Sequence, residues 1–368
     1  MLKKINENIL KNINNDYMID LINQSNNHIF LKKLLYKILK NKSKDILENE
    51  EKIIDDILTI DKSFDNKEKE IKVYLLCNWC SSKELCNLWN KMSKGNFKWN
   101  NIKIVSTYPA DYILIINAIT KNSKMLKDIN IDFSKTIIFQ MEANIKNNIK
   151  EWGFWGDLTN IEDKLKFIGY HDNCINNLEW HLSKTYNELK NEEIIKNPNY
   201  KHILSAIVSN KNSDPGQQKR INFLKFLDSK DDIEVHVFGT NDFNWKNYKG
   251  KLPEYNKDNG LFPYYYTFNA ENCKKKNYVT EKLIDGILSE CLTFYWGCPN
   301  VKEIFNEKSF VELNLHDFNQ DYISIKKNLE NFEWENRIKY IREEKNTILE
   351  EKQFFPNLEK IILNNSIK

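Results

Sequence analysis

Residues 269–300 read NAENCKKKNYVTEKLIDGILSECLTFYWGCPN. An apolar run ends near Ala270, a polar loop follows, and Thr280 then stands where a helix N-cap belongs, its hydroxyl able to accept a free amide of the first turn. Leu283, Ile284, Ile287, Leu288 and Cys291 recur at three- and four-residue spacing, which predicts one buried helix face over 281–291. A second apolar run, 293–296, comes next. Strand, helix, strand is the unit of a parallel α/β sheet, and such sheets bind ligands beyond the carboxyl ends of their strands. A helix start placed there offers free N–H groups and positive potential to phosphate. Lys282 adds a full positive charge. Glu281 is acceptor-only, poorly suited to a diphosphate and well suited to ribose or sugar hydroxyls. The residues by themselves point to a sugar-nucleotide site. The plainer alternative is a capped surface helix with an adjacent Glu–Lys pair.

The same alternation extends in both directions. Upstream, 202–208 and 233–238 predict strands and 217–227 a helix; downstream, a short helix near 302–305 precedes a strand at 309–313. Pro198, within 196–201, marks a crossing between domains. Before it, short apolar runs at 72–77, 110–116 and 135–141 predict buried strands, with helices over 82–92 and 176–190. Residues 1–68 have polar helical periodicity, and 29–42 is basic and amphipathic. That stretch is suited either to peripheral contact with a membrane or partner or, more plainly, to packing on the protein with its lysines in water. The charged run 61–70 has the character of a linker. From these patterns we expect a helical extension (1–68), an α/β domain (69–195), a second α/β domain of nucleotide-binding type (196–325) and a helical tail (326–368).

Composition narrows the class. The chain has 368 residues, long enough for two domains, and its 55 basic and 52 acidic residues leave a net charge of +3. That balance gives no general pull toward nucleic acid. Seven cysteines at irregular spacing predict a reduced chain, not a disulfide framework. The start, MLKKINENIL, lacks the apolar core of a signal peptide, and no run approaches the ~18 apolar residues of a membrane span. The expectation is a cytoplasmic, non-secreted protein, soluble or peripherally bound. Cys77 and Cys80 form a lone C-x-x-C with no second pair to complete a zinc site and no thioredoxin-like context. Asn78 and Trp79 between them, at the end of the first strand, are candidate acceptor contacts. Glu179, Trp180 and His181, and the loop bearing Trp152, Trp155 and Asp157, are further candidates, since aromatic faces suit sugar rings.

The segment that opens this section resembles the signature of the α1,3-fucosyltransferases, glycosyltransferase family 10: roughly F-x-x-E-N, about five residues, Y-[VI]-T-E-K-[LI], a helix, and a strand ending in [YW]-x-G. Phe268, Glu271, Asn272, Tyr278, Val279, Thr280, Glu281, Lys282 and Leu283, then Tyr295, Trp296, Gly297, Pro299 and Asn300 supply it, although the family's proline just before Tyr295 is missing. HILSAIVSNKN at 202–212, followed by Arg220, Phe223 and the V-x-V-F-G run at 235–239, matches a second block. The resemblance covers about 202–318; over 71–195 it rests on strand order and one glutamate.

The resemblance implies a GT-B fold, with two Rossmann-like domains facing a cleft, and GDP-fucose as the donor. It implies that Arg220 and Lys282 contact the diphosphate, and that Asn272, Tyr278, Thr280 and Glu281 lie around the phosphates, ribose and fucose. It implies inversion at the anomeric carbon, with Glu142 in TIIFQMEANIKNN as the base, and a glycan acceptor, by default O3 of N-acetylglucosamine. With no D-x-D motif present and two cations in hand, no obligatory metal or cofactor is expected. Two other readings stay open: the same fold using another GDP-sugar, and a noncatalytic partner-binding protein on an α/β scaffold.

Overall fold

The computed structural model describes residues 69–77, 79–117, 131–143, 162–169, 174–175, 178–239 and 242–363. Residues 1–68 with the basic stretch 29–42, Asn78, and the loop carrying Trp152, Trp155 and Asp157 lie outside the described residues. Glu70–Lys368 is one compact unit.

The first sheet begins with β1 (Ile71–Leu76), whose sequence IKVYLL is buried from Val73 onward, as expected of a parallel strand covered on both faces. Helix α1 (Ser82–Asn90) starts at Ser81, which shares a capping box with Glu84. Strands β2 (Lys98–Trp99), β3 (Ile102–Val105), β4 (Tyr112–Ile116), β5 (Thr136–Phe139) and β6 (Phe167–Gly169) complete the order β2-β3-β1-β4-β5-β6. Only the short β2 runs antiparallel. Without β2, this is a doubly wound sheet whose direction of growth reverses between β1 and β4, the place where such sheets open a crevice.

The helix expected over 176–190 is much shorter. Helix α2 (Tyr186–Asn191) begins only after Thr185, which forms a capping box with Glu188. Ahead of it Leu178, Trp180 and Leu182 are buried while Glu179 and His181 are not, a two-residue alternation that belongs to extended chain. The apolar residues were there, but their period was that of a strand.

The second sheet runs through β7 (Leu204–Val208), α3 (Pro215–Asp228), β8 (Val235–Gly239), β9 (Tyr248–Lys251), α4 (Asp258–Leu261), β10 (Tyr266–Ala270), α5 (Glu281–Leu288), β11 (Leu292–Trp296), α6 (Val301–Ile304) and β12 (Phe310–Glu312). The order is β12-β11-β10-β7-β8-β9 and every pair is parallel. This is the six-stranded doubly wound order of dinucleotide-binding sheets, reversing between β7 and β10. The central strands are buried almost throughout. Edge strand β9, YKGK, has no such signature and escapes periodicity; Gly250 within it has φ 123°, which favours glycine.

The tail comprises α7 (Phe318–Glu330), α8 (Glu333–Thr347), a π-helical turn at Ile348–Lys352 and α9 (Phe354–Leu363). It is not set apart at residue 326, because α7 runs through that position. Its last helix returns to the first sheet, where Phe354 packs on Trp89 at 4.4 Å between ring centroids and Phe355 stacks on Trp99 at 6.1 Å. Gln353 Nε2 donates to Met92 O at 3.1 Å. These contacts bury the apolar face that FFPNLEKIIL would otherwise show to water. One continuous core therefore includes residues of both sheets. Among the described residues no helix is long and apolar enough to cross a membrane.

Candidate active site

The reversal point of the second sheet is occupied by Glu271, the residue after β10, with none of its surface exposed. A buried carboxylate is costly unless its lone pairs are filled. Thr280 fills them from its backbone N–H (2.9 Å) and its hydroxyl (2.7 Å), Tyr295 adds its phenol (3.2 Å), and Lys282 Nζ lies 3.6 Å away. Burial pushes the Glu271 carboxyl above its ordinary range, and Lys282 and the Thr280 bonds act against that. The neighbouring backbone is close enough to require glycine twice. A Cβ on Gly297 would lie 2.4 Å from Glu271 Cγ, and one on Gly216 would lie 2.1 Å from the Glu271 carbonyl oxygen. Gly216 N–H donates to Asn272 O at 2.8 Å, which seats the start of α3 on the β10–α5 loop.

Arg220, 5% exposed on α3, donates through Nη1 to Ala270 O at 2.7 Å. Its Nε is buried without a hydrogen-bond partner among the described residues. Burial lowers its pKa, and Glu271, Glu281 and Tyr278 favour the charged form. An orphaned guanidinium donor at the mouth of a doubly wound sheet is a group built to meet an anion.

The first turn of α5 holds the remaining charges. Thr280 caps it, accepting from Lys282 N–H, and Lys282 Nζ reaches Thr280 Oγ1 at 3.1 Å and Glu281 Oε1 at 3.2 Å. Lys257, ahead of α4, reaches Glu281 Oε1 at 3.3 Å and Asp285 Oδ2 at 2.7 Å. Burial alone would raise the Glu281 pKa, but Lys282 and Lys257 outweigh it and hold the carboxyl well below its usual value. For Lys282, burial pulls the pKa down, while Glu281 and Glu271 raise it overall.

From the first sheet, Glu142 arrives three residues after β5. Asn117, after β4 at φ 68°, accepts Met141 N–H through Oδ1 at 3.0 Å and so anchors the turn that carries it. Tyr278 donates its phenol to Glu142 Oε2 at 3.2 Å. Burial raises the pKa of Glu142; Lys282 opposes, Glu281 adds to the rise, and the Tyr278 bond lowers it. Arg220, Glu142 and the α5 start thus lie in one connected cluster, built from loops beyond the carboxyl ends of both sheets.

Residues 197–352 match the family model described as glycosyltransferase family 10 (fucosyltransferase) C-term. The C-terminal half of this chain is similar to the C-terminal domain of that family. An α-(1,3)-fucosyltransferase of Helicobacter pylori, FucT, is 35% identical over 128 residues, 32% of this chain and 26% of that protein, so the aligned part spans about a quarter of the relative's length. Among solved structures, α1,3-fucosyltransferase with GDP is similar at 19% identity and TM-score 0.41, over 78% of this chain and 93% of that one. TarM, from S. aureus, aligns at 11% identity and TM-score 0.43, over 68% of this chain and 54% of that one. The T4 phage β-glucosyltransferase with UDP-glucose aligns at 11% and TM-score 0.40, over 79% and 98%.

In this C-terminal half, Arg220, Tyr278, Thr280, Glu281 and Lys282 are brought together as the sequence reading grouped them, but their tasks differ. The Thr280 hydroxyl is committed to Glu271, and the Tyr278 phenol to Glu142. Asn272 is half-buried beside Gly216. Trp79 is 42% exposed, but Trp180 is 1% exposed with its indole donating to Lys184 O at 3.0 Å, so Trp180 is a core residue and no acceptor platform. The alternation that buries it leaves His181 half-buried, its ring edge-on to Tyr255 at 5.0 Å. The Cys77 and Cys80 sulfurs lie 3.4 Å apart as free thiols, and burial together with Cys77 pushes Cys80 up to about 12. Among the described residues no group of three His, Cys, Asp or Glu is placed to hold a metal ion.

Sequence reasoning missed Lys257, Asp285 and Asn117, and assigned no task to Glu271. Only Asp285 left a trace: a carboxylate inside the run LIDGIL, where its helix face is otherwise apolar.

Proposed function

We propose that this chain is an inverting fucosyltransferase that moves L-fucose from GDP-fucose to a hydroxyl of a glycan acceptor. The observation that carries the reading is the 3.2 Å bond from Tyr278 to Glu142, which brings a carboxylate of the first sheet to the anion-binding end of a fucosyltransferase-family domain. Arg220 Nε and Lys282 would receive the diphosphate together with the start of α5, and Glu281 would accept from ribose or sugar hydroxyls.

In the reaction the acceptor oxygen attacks the anomeric carbon as its bond to the β-phosphate oxygen breaks. The electron pair leaves on GDP and the acceptor proton passes to Glu142. Charge grows on the diphosphate in the transition state, where fixed cations stabilise it without reorganising. Two cationic side chains and a helix start supply what a metal would otherwise supply, so we propose metal-independent transfer. O3 of N-acetylglucosamine is the proposed default acceptor.

A thermal-shift panel of GDP, GDP-fucose, GDP-mannose, UDP-glucose and UDP-N-acetylglucosamine tests the donor. At 100 times Kd a donor adds about 2.7 kcal/mol of stability. GDP and GDP-fucose are expected to shift the melt while the UDP-sugars do not. A shift with GDP-mannose alone moves the reading to another GDP-sugar. Silence across the panel rejects a donor site and favours a noncatalytic role. Product linkage, read by NMR from a glycan acceptor screen with GDP-fucose, tests inversion and acceptor together.

A further inference from the structure

Lys257 is a charge of the crevice that the donor reading does not use. Lys257 Nζ bonds both Glu281 Oε1 (3.3 Å) and Asp285 Oδ2 (2.7 Å), and Glu281 Oε1 also takes Lys282 at 3.2 Å. With one oxygen held by two ammonium groups, the Glu281 carboxylate cannot turn without breaking both contacts. The same residues also grip the extended segment that precedes α2. Asp285 Oδ1 accepts His181 N–H at 2.8 Å, and Lys257 N–H donates to His181 O at 2.9 Å, so the backbone of one residue is held at both its N–H and its C=O. Ser183 is bonded to Asp258 next door. From the opposite side, Trp89 Nε1 donates to Glu179 Oε2 at 2.8 Å and Lys91 Nζ to Leu182 O at 3.0 Å. The segment is therefore clamped between α1 of the first sheet and the α4–α5 edge of the second, and Lys257 is the group common to that clamp and to Glu281.

Stability does not require this arrangement. A buried ion cluster gains little over apolar packing, because desolvation offsets most of its attraction. What it adds is fixed geometry.

We infer that Lys257 is a positioning residue of the donor site, which with Asp285 and the His181 peptide holds the Glu281 carboxylate in the orientation that receives the hydroxyls of the donor's ribose or sugar. The inference rests on the GDP-fucose reading of Glu281 given above.

A double-mutant cycle on the full chain tests it, with initial rates measured across GDP-fucose concentrations for wild type, Lys257→Met, Glu281→Gln and the double variant. Residues acting through one another couple, whereas independent ones combine multiplicatively. Each single variant is expected to raise KM for GDP-fucose about tenfold or more, as loss of orientation does. The double variant is expected to be no worse than the more severe single one. Asp285→Asn, which keeps the shape, is expected to show the same coupling and stands in if Lys257→Met does not fold by circular dichroism. Multiplied KM effects in the double variant, or a folded Lys257→Met with wild-type KM, would overturn the positioning role and leave the donor reading intact. A wild type that binds neither GDP nor GDP-fucose would overturn both.

Discussion

Tyr278, in the loop between β10 and α5, donates its hydroxyl to Glu142, which lies beyond β5 of the other sheet and 136 residues away in sequence. Tyr278 is buried and Glu142 half-buried, so water weakens the bond less than it would at the surface. It favours the ionised form of Glu142 against a burial that pushes its pKa up. A base must be ionised to take a proton, so transfer should fall as pH drops through the raised Glu142 pKa. Tyr278→Phe removes a contribution that lowers this pKa, and the acid limb of the kcat/KM profile should move to higher pH. An unmoved limb in a folded Tyr278→Phe variant separates Glu142 from the pH dependence.

Glu142→Gln keeps the shape and removes the base. Transfer is expected to drop by about 10²–10⁴, the usual contribution of a positioned general base. GDP affinity, measured by titration calorimetry, should be nearly unchanged, because the nucleotide groups are assigned to the other sheet. Near-normal turnover in this variant would remove Glu142 from the mechanism.

Lys282→Ala removes an ammonium within reach of Thr280, Glu281 and Glu271. A hydrogen bond to a charged group is worth about 1.5–3 kcal/mol, so GDP should bind roughly 10–150-fold more weakly. The loss should shrink at high salt if it is electrostatic. Unchanged GDP binding would reject the phosphate role of Lys282.

Gly297→Ala places a methyl 2.4 Å from Glu271 Cγ, inside a packed region where Tyr295 also contacts the carboxylate. Overpacking of this kind costs about 1–3 kcal/mol, read as a lower urea midpoint with unchanged slope. Because the methyl displaces the Glu271 carboxylate that holds Thr280, GDP binding should weaken as well. A stable variant with full GDP affinity would show that Glu271 does not organise the α5 start.

Much of this was legible because it is local. The cap at Thr280, the apolar face through Leu283 and Leu288, and the charge of Lys282 are all set within a dozen residues, where helical period and first-turn chemistry act directly. The alternation at Leu178, Trp180 and Leu182 is legible too, but the four- and three-residue spacing of Leu182, Tyr186 and Leu189 competes with it and predicts a helix. The acidic loop of β10 was visible as Glu271–Asn272, without any sign that the carboxylate would be sealed inside. The tail showed its helices; that the last one returns to Trp89 and Trp99 did not follow from its own pattern, since an apolar face specifies burial and not the surface that buries it.

The sequence by itself determined the α/β class, the capped and charged start of α5 and the similarity of the C-terminal half to family 10, because strand order, caps and the Y-V-T-E-K run depend on neighbours along the chain. The tertiary structure decided which groups share a site. Lys257 meets Asp285 across 28 residues and Glu142 meets Tyr278 across 136. The first pair needs the helix starts beyond the second sheet to fold together and the second needs loops of both sheets to meet, and there burial shifts the Glu142 pKa up while nearby lysines shift that of Glu281 down.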